Sequence, residues 1–274
     1  MKQMTLKEIQ GVLLDVVAEI HSFCVKHNIE YTLAYGTLIG AIRHKGFIPW
    51  DDDVDIWMTR PNYEKFIACY GSERYLIKRP ADKDNYLGYV RVYDTKRTYS
   101  PENYRNLNQD AGVWVDILPL DGVSEDEETR NKDYETICHQ RDISSGYRTN
   151  IYEVRKGNIL SKMINSAKLA VKRLLIGSQQ DLLKEYDRLC CQIAFGATSL
   201  CANYYCQSAY TKRKIELLKV EWFKGYKLVD FEGTQLMVSK DYDQILTSIF
   251  GNYMQLPPED KRGGFHSSTF YWKF

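Results

Sequence analysis

The chain opens with a helical pattern. Apolar residues fall at Leu6, Ile9, Leu13, Val16, Val17, Ile20 and Phe23, spacings of three and four that line one face of a helix. Thr5 stands at its N-cap with Glu8 three residues on, the pair that forms a capping box. The pattern runs to about residue 27, and Asn28 ends it. Residues 31–35 read as a short strand closing at Gly36, and 37–43 as a short helix directly after it. A turn-rich loop over 46–50 leads to a segment, 53–58, that alternates in period two, as a half-buried strand does. Pro61 takes a first helical position in a helix predicted to about residue 70. Short strands are predicted over 75–79, 86–94, 97–100 and 112–118, and charged helices over 125–141 and 181–195. A final helix over 242–250 stops at Gly251, a good C-terminal cap. Strands mixed with helices, followed by a mostly helical stretch, predict an α+β fold: a mixed β-sheet flanked by helices, with a helical middle segment.

Composition narrows the class. The chain has 274 residues, 44% of them apolar, enough for one large domain or two intimate ones with a sizeable core. Its 37 basic and 36 acidic residues leave a net charge of +1, which gives no electrostatic support to nucleic-acid binding. Charges at Lys7, Glu8, Asp15 and Glu19 break any apolar leader. No stretch approaches the ~18 apolar residues of a bilayer span. The seven cysteines contain no CxxC pair, so reduced thiols in the cytoplasm are expected. Zinc held by Cys190, Cys191, Cys201 and Cys206 is conceivable, although adjacent ligands are an unusual spacing.

The chemistry concentrates at Asp51-Asp52-Asp53-Val54-Asp55. A strand puts alternate residues on one face, so Asp53 and Asp55 are expected to project together. Paired carboxylates repel unless a cation lies between them, and Mg²⁺ or Mn²⁺ prefers such oxygen ligands. A solvated acidic turn is the plain alternative. Upstream, Gly36-Thr37 sits at a strand-to-helix junction, where free N–H groups can hold an anion. Arg43, His44 and Lys45 follow it. Asp116 lies inside the apolar run Val113-Trp114-Val115-Asp116-Ile117-Leu118. Burying an acid there is costly unless it is paired or metal-bound, so it is a candidate third carboxylate. Asp121, after Pro119, reads as a turn residue.

The run from Gly36 through Arg43, His44, Lys45, Pro49 and Trp50 to Asp55-Ile56 closely resembles the signature of the LicD family of bacterial phosphocholine transferases and related fukutin-type phosphotransferases. Trp114-Val115-Asp116-Ile117-Leu118-Pro119 resembles a second element of that family. A third is Phe231-Glu232-Gly233 with the later Phe250-Gly251-Asn252, Leu256-Pro257-Pro258, Lys261-Arg262 and His266. One departure is visible: Ser239 stands where the family commonly has proline.

The resemblance implies a nucleotidyltransferase-type sheet, and the pattern of elements along the chain divides it into three parts. These are a catalytic core over 1–124, a helical segment over 125–200, and a C-terminal part of the same catalytic unit over 201–274. The resemblance also implies Mg²⁺ or Mn²⁺ on Asp53, Asp55 and Asp116, with Gly36, Thr37, Arg43, His44 and Lys45 around the donor's phosphates. Trp50, Glu232, Arg262 and His266 are further substrate-binding candidates. The donor implied is CDP-activated, most simply CDP-choline. The acceptor implied is a hydroxyl of a cell-surface glycan or its lipid-linked precursor, and Asp116 either completes the metal site or takes the hydroxyl proton. A choline headgroup calls for an aromatic cage, for which Trp50, Trp57, Tyr35, Trp114 and Tyr89 are candidates. Two rivals use the same motifs: a transferase of NMP from an NTP, and a non-catalytic nucleotide- or glycan-binding member of the fold.

Residues 155–176 hold six basic side chains and no acid, with an apolar stripe at helical spacing. A cationic amphipathic helix of this kind can lie on the inner, anionic membrane surface, a peripheral attachment for a cytoplasmic enzyme. A helix packed on the domain with a solvated basic face is the alternative.

Overall fold

The computed structural model describes residues 1–80, 82, 87–101, 111–145, 159–205, 215–263 and 269–274. In chain order the first elements are β1 (Lys2–Gln3), α1 (Leu6–Lys26), β2 (Thr32–Leu33), α2 (Tyr35–Ile39), β3 (Asp55–Thr59), α3 (Arg60–Cys69), β4 (Leu76–Lys78), β5 (Val90–Asp94), β6 (Thr98–Tyr99) and β7 (Val113–Gly122). Then follow α4 (Glu127–Ser145), α5 (Ile159–Ile176), α6 (Gln179–Cys190), β8 (Leu200–Ala202), β9 (Leu218–Lys219), β10 (Tyr226–Phe231), β11 (Thr234–Ser239), α7 (Tyr242–Phe250) and β12 (Tyr271–Trp272).

The main sheet has the order β2-β3-β7-β5-β4, with β8 and β9 extending from the end of β7. Only β3 and β7 run parallel along that path; the other neighbours are antiparallel. This is the mixed sheet that the alternating pattern predicts. Every residue of β7 is buried, as expected of a central strand covered on both faces. α1 lays Val12, Leu13, Val16, Val17 and Ile20 into the core. Its start is held as expected: the Glu8 N–H donates to Thr5 Oγ1 at 3.3 Å and the Thr5 N–H to Glu8 Oε2 at 2.8 Å.

The C-terminal hairpin β10–β11 closes back on β2. The Ser239 N–H donates to Thr32 Oγ1 at 3.0 Å, and the Met237 N–H to Tyr31 Oη at 3.2 Å. Ser239 is fully buried and its hydroxyl donates to the Trp222 carbonyl. A proline at that position has no N–H to give Thr32.

Three expectations are corrected. The helix predicted over 181–195 ends at Cys190, where Cys191 caps it. The short helix after Gly36 starts one residue before it and continues as a π-turn over Gly40–His44, ended by Lys45 in a left-handed conformation. Asp121 is no turn residue. It is 1% exposed in β7 and takes a two-pronged ion pair from Arg60, with Nε–Oδ1 2.6 Å and NH2–Oδ2 2.7 Å. Arg60 also donates to Asp187 of α6 at 3.0 Å and to Tyr205 Oη at 3.2 Å. The helical middle is therefore fastened to the sheet at the far ends of β3 and β7 by one guanidinium.

Candidate active site

Three adjacent strands bring the chemistry together. Asp55 on β3 is in register with Asp116 on β7, and Asp116 with Arg91 on β5. Residues opposite one another across strands share a face, so two carboxylates and a guanidinium line up side by side. Asp55 is fixed through its backbone. Its N–H donates to Thr37 Oγ1 at 3.0 Å, and its carbonyl accepts the Ala34 N–H at 3.0 Å. One strand over, the Asp116 N–H donates to the Val54 carbonyl at 2.9 Å.

Asp53 lies in the loop before β3 rather than within the strand. The expected alternation persists nonetheless, for Asp53 and Asp55 are half-buried while Val54 and Ile56 are buried. In that loop the carboxylates of Asp51, Asp52 and Asp53 each place an oxygen within 4.8 Å of the others. The loop is pinned by the side chain of Gln10 on α1, which donates to the Asp51 carbonyl at 2.9 Å.

Electrostatics follow from this crowding. Burial, then the charges of Asp53, Asp116 and Asp51, push the Asp55 carboxyl well above the usual carboxylate range, and Arg91 pulls it part of the way back. Arg91 grips both oxygens of Asp116, through Nε to Oδ1 and through NH2 to Oδ2 at 3.1 Å. The same guanidinium lies 4.3 Å from the Trp114 ring centroid and donates to Tyr89 Oη at 3.0 Å. Sequence reasoning missed Arg91. The signal was there: a charged residue between Val90 and Val92 in an apolar strand, the same pattern that exposed Asp116.

The other expected site residues separate into groups. Gly36 packs against Asp51, whose Oδ2 would sit 2.8 Å from a Cβ at that position. Thr37 is buried and braces the acid strand through its hydroxyl. Arg43 turns toward the C-terminal segment, donating to the carbonyls of Tyr253 at 2.6 Å and Gln255 at 3.3 Å, and from Nε to His44 Nε2 at 2.9 Å. Burial and the Arg43 charge together push His44 below its ordinary range. Lys45 is exposed. Glu232, in the β10–β11 turn, accepts the Phe47 N–H at 3.1 Å, and its own N–H donates to the Lys45 carbonyl at 2.9 Å. It thus locks the loop leading to the acids. Any Cβ on Gly46 would collide with its carboxylate. Arg262 stacks over Trp50, 5.8 Å from the ring centroid, which brings the C-terminal segment beside the residue preceding Asp51. His266 lies outside the described residues.

The aromatic candidates are mostly committed elsewhere. Trp57 is 1% exposed and meets Tyr35 edge-on at 4.6 Å. Trp114 and Tyr89 box the Arg91 guanidinium. Trp50 alone among the five both stays part-exposed and borders the acid loop. Among the described residues, the side chains grouped closely enough to hold a metal are Asp51, Asp52 and Asp53. Cys190, Cys191 and Cys201 are free thiols pushed up by burial, Cys191 to about 12, and Cys206 lies outside the described residues. An all-carboxylate set fits a hard cation such as Mg²⁺ or Mn²⁺.

A mixed sheet flanked by helices, with an acid loop entering one strand and a third carboxylate in register on its parallel neighbour, defines a nucleotidyltransferase-type domain. The chain matches, over residues 28–153, the family described as LicD/FKTN/FKRP, nucleotidyltransferase domain. Along its whole length it is similar to the lipopolysaccharide cholinephosphotransferase LicD of Haemophilus influenzae, 28% identical over 279 residues that span 99% of both chains. It is also similar to two uncharacterised proteins of Rickettsia. The Rickettsia typhi protein is 48% identical over 69 residues, 24% of this chain and 22% of that one, and the Rickettsia prowazekii protein 48% over 44 residues, 16% of each.

Proposed function

We propose that this protein is a divalent-metal-dependent phosphotransferase. It moves phosphocholine, or a closely related phospho-alcohol, from a CDP-activated donor to a hydroxyl of a cell-surface glycan or its lipid-linked precursor. The observation that carries the reading is the row Asp55–Asp116–Arg91 behind the Asp51–Asp53 loop. It stands in a chain collinear with the Haemophilus cholinephosphotransferase.

Asp51, Asp52 and Asp53 would hold the metal, with Asp55 beside them on β3 as a further ligand. When bound, the metal neutralises the donor's diphosphate and the charge that develops on the leaving CMP. Arg262, drawn beside the acid loop by Trp50, and exposed Lys45 supply positive charge toward the phosphates. The acceptor hydroxyl attacks the phosphorus of the phospho-alcohol, the bond from that phosphorus to the CMP oxygen breaks, and Asp116 takes the hydroxyl proton. Arg91 is a positioning residue in this scheme, because a bidentate guanidinium fixes the plane of the Asp116 carboxylate. Trp50 offers the choline its aromatic face.

The test is calorimetric titration with CDP-choline, CDP-ribitol, CDP-glycerol and CTP, in Mg²⁺ and then in EDTA, followed by an assay of CMP release with a glycan acceptor. One CDP-alcohol binds only with the metal, and Asp53→Ala loses it. Binding of CTP alone, with pyrophosphate as the product, replaces the reading with NMP transfer. Binding of none, with or without acceptor, makes the protein a non-catalytic member of its fold.

A further inference from the structure

We infer that α5 is a docking helix for an anionic lipid bilayer. Leu160, Met163, Ile164, Val171, Leu174 and Leu175 are all exposed, the last two at 84% and 81%. At about 100° per residue these positions, with exposed Ala167 between them, fall within an arc of about 120° on one side of the helix. Among the described residues, none from α5 joins the buried core.

The neighbouring helix shows what a packed stripe looks like in this protein. α6 has the same kind of apolar spacing, and its Leu182, Leu183, Tyr186 and Leu189 are buried. The α5 stripe is exposed instead. Six large apolar side chains in one stripe on the surface of a soluble domain mark a contact site.

Charge selects the occupant. Residues 154–180 contain Arg155, Lys156, Lys162, Lys168, Lys172 and Arg173 and not one acid, in a chain whose overall net charge is only +1. A second copy of this chain would set these like charges against one another, with no acid in the segment to pair them. A bilayer bearing anionic headgroups matches both features, with acyl chains for the stripe and phosphates for the lysines. Gly177, at φ +90°, ends the helix and turns the chain into α6. The inference stands apart from the choice of donor and acceptor, since any substrate carried on a lipid would bring the enzyme to such a surface.

The experiment is flotation of the full chain with vesicles of phosphatidylcholine, with and without phosphatidylglycerol, at low and high salt. Wild type floats with phosphatidylglycerol vesicles at low salt, and salt or pure phosphatidylcholine releases it. Leu174→Ser with Leu175→Ser alters two exposed positions and lowers vesicle affinity about tenfold or more. Lys168→Glu with Lys172→Glu abolishes the preference for phosphatidylglycerol, each lost positive charge being worth about fivefold. Circular dichroism checks that both variants stay folded. Wild type failing to float at low salt, or the serine variant floating as well as wild type, overturns the inference. A wild-type dimer that the serine substitutions dissociate, with no vesicle binding, also overturns it by assigning the face to a second copy. None of these readouts depends on transferase activity, so their failure leaves the proposed reaction standing.

Discussion

Replacing Asp53 with asparagine makes a sharp test of the acid loop, because it separates a metal site from an ordinary acidic turn without any substrate. Asp51, Asp52 and Asp53 hold oxygens within 4.8 Å of one another. Two like unit charges at the 4.8 Å limit repel by about 3.5 kcal/mol at an effective dielectric of about 20, and by about 0.9 kcal/mol in bulk water. The three side chains are half-buried, so the repulsion between neighbours lies between those limits. In EDTA, Asp53→Asn is therefore expected to be more stable than wild type by about 1–3 kcal/mol, a Tm rise of about 2–10 °C. Mg²⁺ reverses the order. A ligand bound only by the folded state, at a hundred times its Kd, adds about 2.7 kcal/mol, and the variant, with a neutral amide in place of one charged carboxylate, binds the metal more weakly and gains less of it. Thermal melts of both proteins, monitored by circular dichroism in EDTA and across a Mg²⁺ series, read the crossing directly. If the variant melts below wild type in EDTA and both shift equally with Mg²⁺, the carboxylates are not held together at a cost that a metal relieves, and the argument fails.

Other consequences concern the sheet and its helices. Asp55→Ala is expected to leave less than about a tenth of the transfer rate, since a lost metal ligand costs several kcal/mol of transition-state stabilisation; CMP release measures it. Arg91→Lys keeps the charge but not the fork that grips Asp116, so the rate falls about tenfold or more while KM for the donor stays near wild type. Arg60→Met strands buried Asp121 and costs about 3–5 kcal/mol in urea melts, and Arg60→Lys recovers little of it. Burial holds His21 below its ordinary value of 6.5. The stability this brings is present above about pH 6.5 and is lost as pH falls through the lowered value; urea melts of His21→Gln between pH 7 and about 5 should show a flatter profile than wild type.

Much of the fold could be read where local rules and tertiary packing agree. The Thr5–Glu8 box and the three-and-four spacing located α1 to within a residue of its end, and Gly251 stopped the last helix where expected. The misses have a common cause. In the hairpin β10–β11, half the positions of β10 are exposed and only Phe231 is buried, so its sequence carries weak alternation; β10 is held by pairing with β11 and by β11's contact with Thr32 and Tyr31. Asp121 looked like a turn residue because it follows Pro119. What makes it a buried strand residue is Arg60, 61 positions earlier in the chain, and no local pattern reports a partner that distant.

The site shows the same division more sharply. Asp53, Asp55 and Asp116 were legible because an acid at period two or inside an apolar strand is expensive, and the expense is visible in one short segment at a time. The place of Arg91 beside them was not, since it depends on β7 lying between β3 and β5 and on a register that sets Asp55 and Arg91 on either side of Asp116. That register also decides the fate of the aromatic residues. Trp114 and Tyr89 look like a cage for a choline cation, and the cation they enclose is the guanidinium of Arg91. Loss of Arg91 therefore does more than remove a charge: it opens an aromatic box beside Asp116. The variant Arg91→Ala is expected to lose transfer yet to bind a small quaternary ammonium ion, such as tetramethylammonium, that wild type does not bind there. Quenching of tryptophan fluorescence follows this, with Trp114→Leu in the Arg91→Ala background as the control. Equal binding by wild type and Arg91→Ala would mean that the box is not what the guanidinium fills.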